Sequence, residues 1–87
     1  MGEIKQRIEQ KLMAAFAPSR LEVIDESERH RGHGGYREGG ETHFRIVITA
    51  EAFRPMNRLA RQRAVYDVLQ QEMEERIHAL SLDIGTP

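Results

Sequence analysis

The chain has 87 residues, a formal net charge of −1, 31% charged residues and no cysteine. That length holds one small domain, residues 1–87, with a single modest core, and the balanced charge excludes bulk electrostatic capture of nucleic acid or membrane, leaving only a local patch for such binding. The absence of cysteine excludes disulfides, thiolate catalysis and a self-contained iron-sulfur or zinc-thiolate centre, so a soft metal would need sulfur from another molecule.

At the start of the chain no basic segment leads into an apolar run. No apolar stretch approaches the roughly 18 residues of a spanning helix. The expectation is a soluble, cytoplasmic protein without a membrane role. Ile4, Ile8, Leu12 and Phe16 recur at steps of four with charged and amide residues between them, one apolar stripe on a first helix that Ala17-Pro18 ends. Leu21 and Val23 alternate with Arg20 and Glu22 as a short first strand.

Asp25 to Phe44 then reads DESERHRGHGGYREGGETHF, with five of the seven glycines between Gly32 and Gly40 and with His30, His33 and His43 in or beside the run. Roughly 15 residues without hydrophobic periodicity exceed the usual connection in a compact domain, and such loops are either functional or solvated connectors. Imidazoles on it admit a ligand role; a solvated connector whose histidines do nothing is the other reading.

After the loop, Phe44, Ile46 and Ile48 alternate with His43, Arg45 and Thr49, a second strand with one buried face and His43 on the other. Glu51 to Met56 is a turn containing Pro55. Asn57 is the N-cap of a second helix running to about Arg76, whose apolar face comes from Ala64 with Val68 and from Val65, Leu69 and Met73. The last strand places His78, Leu80, Leu82 and Ile84 on one face.

This order, helix, strand, strand, helix, strand, predicts an α+β sandwich: a three-stranded mixed sheet with both helices on one face. The first two strands pair antiparallel, and the second and third run parallel across the helical crossover. Parallel strands start at the same end, which brings His78 near His43 and the exit of the loop. His78 there reads either as a ligand or as a core-edge histidine bonded to a backbone carbonyl.

A second cluster, Arg54, Arg58, Arg61 and Arg63, lies at the start of the second helix, against the helix dipole. These arginines could hold phosphates of a nucleic acid. The alternative is a solvated face in which Arg63 pairs with Asp67 and Glu72 with Arg76, with the stem of Arg61 packed on the apolar side. No nucleophile, base and orienter stand in workable spacing, so the expectation is a protein that is not an enzyme.

IEQKLMAAFAPSRLEVIDES, the GGETHFRIVI strand, RQRAVYDVLQQEM and the final IHALSLDIGTP resemble the BolA family of small proteins, similar in fold to class II KH domains. The resemblance spans essentially the whole chain, and the ETHF segment, the RxRxVY helix start and the HAL strand occur together and in order. It implies an adaptor in iron-sulfur cluster or iron handling that works with monothiol glutaredoxins, with DNA-binding transcriptional regulation as the alternative. By position, the resemblance implies that His78 ligates a shared two-iron two-sulfur cluster and that His30, three residues after Ser27, or His33 in the HxGH run, is a second ligand. Such clusters accept imidazoles on one iron and thiolates on the other. A glutaredoxin cysteine and glutathione, implied by the family, would supply the sulfur side, and the isolated chain would be a cluster-free monomer or weak homodimer. Two positions depart from the family pattern. Gln62 replaces the central histidine of the RHR motif, and the turn Arg54-Pro55-Met56-Asn57 lacks the glycines of a KH GxxG loop.

Overall fold

A computed structural model describes residues 2–27 and 40–87. The first helix, α1 (Glu3–Phe16), buries Ile4, Ile8 and Leu12 and half-buries Phe16, the stripe expected from the four-residue spacing. It stops where Ala17 turns left-handed (φ 45°) and donates its N–H to the Met13 carbonyl, 3.0 Å, with Pro18 unable to continue the helix. Strands β1 (Arg20–Asp25), β2 (His43–Thr49) and β3 (Ala79–Gly85) form one sheet in the order β1-β2-β3. β1 runs antiparallel to β2, and β3 runs parallel to β2 with His43 opposite Ala79 and Phe44 opposite Leu80. The mixed α+β architecture is therefore the one the alternation patterns predict.

The second helix is not continuous to Arg76. α2 (Arg58–Val68) opens on Asn57, whose side-chain oxygen accepts the Ala60 N–H at 2.8 Å, and it breaks at Leu69 before a short α3 (Gln70–Glu75). Leu69 leaves helical geometry at φ −100°, ψ 15° with its side chain fully buried, while its N–H still bonds the Val65 carbonyl (3.1 Å) and its carbonyl the Met73 N–H (3.0 Å). The turn before α2 contains a 3-10 segment, Glu51–Phe53, that carries Phe53 into the core, where its ring lies 4.7 Å from that of Phe16. Fully buried Ile8, Leu12, Phe44, Ile46, Ile48, Phe53, Val65 and Leu69 form the centre of the core on the helix-covered face of the sheet. Burial of each such large side chain is worth about 1.5–3 kcal/mol.

Among the described residues, one carboxylate lies inside this sandwich. Glu72 on α3 is fully buried and receives Arg7 (2.7 Å) and Lys11 (2.7 Å) from α1, and Arg7 also reaches Glu75 at 2.8 Å. Burial alone would raise the Glu72 carboxyl, but hydrogen bonds from Lys11 and Arg7, with the Lys11 charge, hold it below its ordinary value. The i,i+4 pairing of Glu72 with Arg76 is not formed, because α3 turns Glu72 inward toward α1. Nor does Arg63 pair with Asp67; both are exposed without an ion pair between them.

Candidate functional site

The two ends of the glycine-rich loop meet at one corner of the sheet, and the residues that join them are short and polar. Asp25, the last residue of β1, accepts the Ser27 N–H on one carboxylate oxygen (2.9 Å) and the Glu41 N–H on the other (3.1 Å). Gly40 passes this carboxylate with φ +74°; a Cβ there would lie 3.4 Å from the Asp25 oxygen on a backbone that L-residues rarely adopt. Glu41, also left-handed at φ 60°, sends its carboxylate to the Lys5 N–H at 3.0 Å and so caps α1, whose own N-cap, Gly2, offers no side chain. Arg76, just past α3, donates to the Gly40 carbonyl through Nε (3.1 Å) and Nη2 (2.5 Å).

Inside this frame lie three buried polar residues, Ser27, Thr42 and His43. Ser27 Oγ accepts the backbone N–H of Thr42 (2.8 Å) and of His43 (3.2 Å) and lies 3.3 Å from Thr42 Oγ1, which is 2.9 Å from His43 Nδ1. The Thr42 carbonyl accepts two successive N–H groups, from His78 (2.7 Å) and Ala79 (3.2 Å). A regular parallel ladder gives one N–H to one carbonyl. Two on a single oxygen kink the chain, so His78 stands in a bend just before β3 rather than on the strand, outside the alternation of Leu80, Leu82 and Ile84.

That kink sets the ring positions. His78 is exposed, and its ring centroid lies 5.3 Å from that of His43 with the planes tilted by 50°. The convergence expected from parallel strands is present, and His43 is not left open on its side of the sheet: it is buried at 6% exposure with its ring against His78. The ring nitrogens of His78 make no hydrogen bond among the described residues, whereas Nδ1 of His43 is engaged by Thr42. Of this pair, His78 is the ring that faces solvent. His30 and His33 lie outside the described residues. Among the described residues, no group of three or more histidine, aspartate or glutamate side chains is placed to hold a metal ion.

The arginines at the other end of the molecule are divided. Arg54 is bound to Glu51 (2.6 Å) and to the Pro87 carbonyl (2.8 Å), and Arg61 gives Nε to the carbonyls of Phe53 (2.9 Å) and Met56 (3.0 Å). Glu51 as hydrogen-bond partner raises the pKa of Arg54, and Arg54 lowers that of Glu51. Arg58 and Arg63 are exposed and have no such partner among the described residues. A groove of about 480 Å³ between the start of α2 and β3 is lined by Arg58, Arg61, Gln62 and Leu82, but also by Asp83, whose charge opposes phosphate.

Periodicity did not single out Ser27 and Thr42. One signal for Thr42 was present: stepping back by two from Phe44 puts it on the core side of β2.

A family model described as BolA-like protein matches residues 12–87. The chain is 45% identical over 85 residues to a Sinorhizobium sp protein called "Uncharacterized protein in cobS 5'region", covering 97% of this chain and 91% of that one. It is 43% identical over 83 residues to the DNA-binding transcriptional regulator BolA of Escherichia coli (strain K12), covering 95% and 75%. Among solved structures, the BolA domain of SufE1 from Arabidopsis thaliana superposes with a TM-score of 0.88 at 39% identity, over 100% of this chain and 95% of that one.

Proposed function

Because this chain belongs to the BolA-like protein family, we propose that it is a non-enzymatic adaptor sharing a two-iron two-sulfur cluster with a monothiol glutaredoxin, with His78 as one ligand and His30 or His33 as a second. The observation that supports this most directly is the contrast within the histidine pair: His78 is exposed with unclaimed ring nitrogens on a backbone held at two points, and its neighbour His43 is buried with Nδ1 already engaged. Imidazole suits iron as a ligand, and the sulfur that this cysteine-free chain lacks would come from the glutaredoxin cysteine and glutathione. The cluster supplies the iron that accepts the imidazole. The chain supplies a fixed donor, Thr42 holding the backbone of His78 and Asp25, Glu41 and Arg76 holding the loop ends beside it. The setting would be the cytoplasm. Among the described residues no helix is long and apolar enough to cross a membrane.

The test is the visible absorption spectrum of this protein mixed with a monothiol glutaredoxin, glutathione, iron and sulfide. A heterodimer with a spectrum distinct from that of the glutaredoxin alone is expected, together with no stable cluster on the isolated chain. A stable cluster on this chain by itself would defeat the proposal.

A second reading is DNA binding, favoured by the name of the Escherichia coli relative and by the exposed Arg58 and Arg63. With Arg54 and Arg61 occupied, this would be a weak phosphate contact, and its affinity would fall with salt.

A further inference from the structure

The buried hydroxyls at the loop root have a proton order that the geometry dictates. A serine hydroxyl has one hydrogen and two lone pairs. Ser27 Oγ spends both lone pairs on the N–H groups of Thr42 and His43, so its hydrogen must go to the one acceptor beside it, Thr42 Oγ1. Thr42 Oγ1 has a second lone pair, but if His43 Nδ1–H used it the hydrogen of this fully buried hydroxyl would have no acceptor among the described residues, so that hydrogen goes to His43 Nδ1 at 2.9 Å. The reverse order would load three donors onto Ser27 Oγ and leave its hydrogen without an acceptor in a site that is 1% exposed.

From this order we infer that Ser27 and Thr42 form a hydroxyl relay that holds His43 in the neutral tautomer protonated at Nε2, making it a positioning residue for the exposed ring of His78 and barring it from taking that ring's place as a ligand. Nδ1 is occupied as an acceptor and Nε2 carries hydrogen, so neither nitrogen of His43 offers a lone pair to iron while the relay stands. The same Thr42 fixes both partners, His43 through its hydroxyl and His78 through its carbonyl, which sets the 5.3 Å, 50° relation between the rings. Groups that orient a metal ligand without touching the metal typically control affinity by about 10–100-fold. The positioning part of this inference rests on His78 being a cluster ligand; the tautomer does not.

The first measurement needs no cluster and no variant. Imidazole nitrogen chemical shifts of His43 in the isolated protein should show an acceptor-type Nδ1 and a protonated Nε2, and a proton on Nδ1, or averaging between the tautomers, would overturn the relay. Thr42→Val keeps the side-chain shape and removes the hydroxyl, so it should release the tautomer and weaken cluster sharing with the glutaredoxin about tenfold or more; Thr42→Ser should restore both. A Thr42→Val protein in which the tautomer is lost but cluster affinity is unchanged would overturn the positioning role. Failure of the ligand reading is distinguishable: a full cluster spectrum with His78→Ala would remove His78 as a ligand and leave the nitrogen shifts of His43 as they are.

Discussion

The two ends of this molecule treat their charged and polar side chains in opposite ways. At the loop root, buried groups satisfy one another so that an exposed imidazole is left unclaimed, whereas at the start of α2 two of the four arginines are consumed by the fold itself. Arg61 ties the 3-10 turn to α2 through two carbonyls, and Arg54 ties the same turn to the last residue of the chain. The lesson is that a cluster of functional residue types in sequence says little until each side chain's existing partners are known. A guanidinium that already satisfies two part-buried carbonyls can be removed only at the expense of stability, and it can be offered to a ligand only at that same expense.

The comparison breaks most visibly at His78. His78→Ala should abolish the heterodimeric cluster spectrum while changing stability by no more than about 0.5 kcal/mol, as for an exposed side chain without hydrogen bonds; the pair of measurements is absorption with the glutaredoxin and thermal unfolding of the isolated chain. The double change His30→Ala with His33→Ala should approach the same loss. Either single change should be milder, since the two histidines are three residues apart and one can stand in for the other. A full spectrum in His78→Ala would make His78 an ordinary edge histidine.

Glu72 sharpens the contrast from the side of claimed groups. Glu72→Gln keeps the shape but removes the charge that Arg7 and Lys11 share, and denaturant unfolding should show a loss of about 1–3 kcal/mol with cluster sharing retained. The pH dependence has a definite sign. The folded Glu72 carboxyl titrates below the ordinary value of 4.5, so the unfolded chain takes up the proton first. Its contribution is complete above that value and disappears as pH falls through the lower folded value. Stability against pH should therefore drop less steeply in Glu72→Gln than in the unaltered protein across that acid range, and parallel curves would count against the cluster's electrostatic role.

Arg61→Ala is expected to cost about 1 kcal/mol in unfolding free energy through its lost carbonyl bonds. Any effect on DNA affinity should be slight. Smallest of all should be the DNA response: with Arg58 and Arg63 as the two free arginines of that cluster, the log-log dependence of affinity on salt should have a slope no steeper than about 2. A slope several times larger would mean that a phosphate-binding surface exists elsewhere on the chain.

Much of the architecture followed from local patterns. Steps of four placed Ile4, Ile8 and Leu12 in the core, period two placed Phe44, Ile46 and Ile48 there, and the crossover rule made β2 and β3 parallel, which sufficed to bring His78 to the loop exit. Periodicity carries this information because a side chain's face depends only on its position along a regular helix or strand. Tertiary structure decided what regularity cannot encode. The break at Leu69 falls inside an unbroken apolar pattern, the inward turn of Glu72 comes from cations on a helix more than 60 residues away in the chain, and the bend at His78 from two N–H groups sharing the Thr42 carbonyl. Each of these is a contact between residues distant in sequence or a departure from the regular ladder, and neither leaves a periodic trace for the sequence to show.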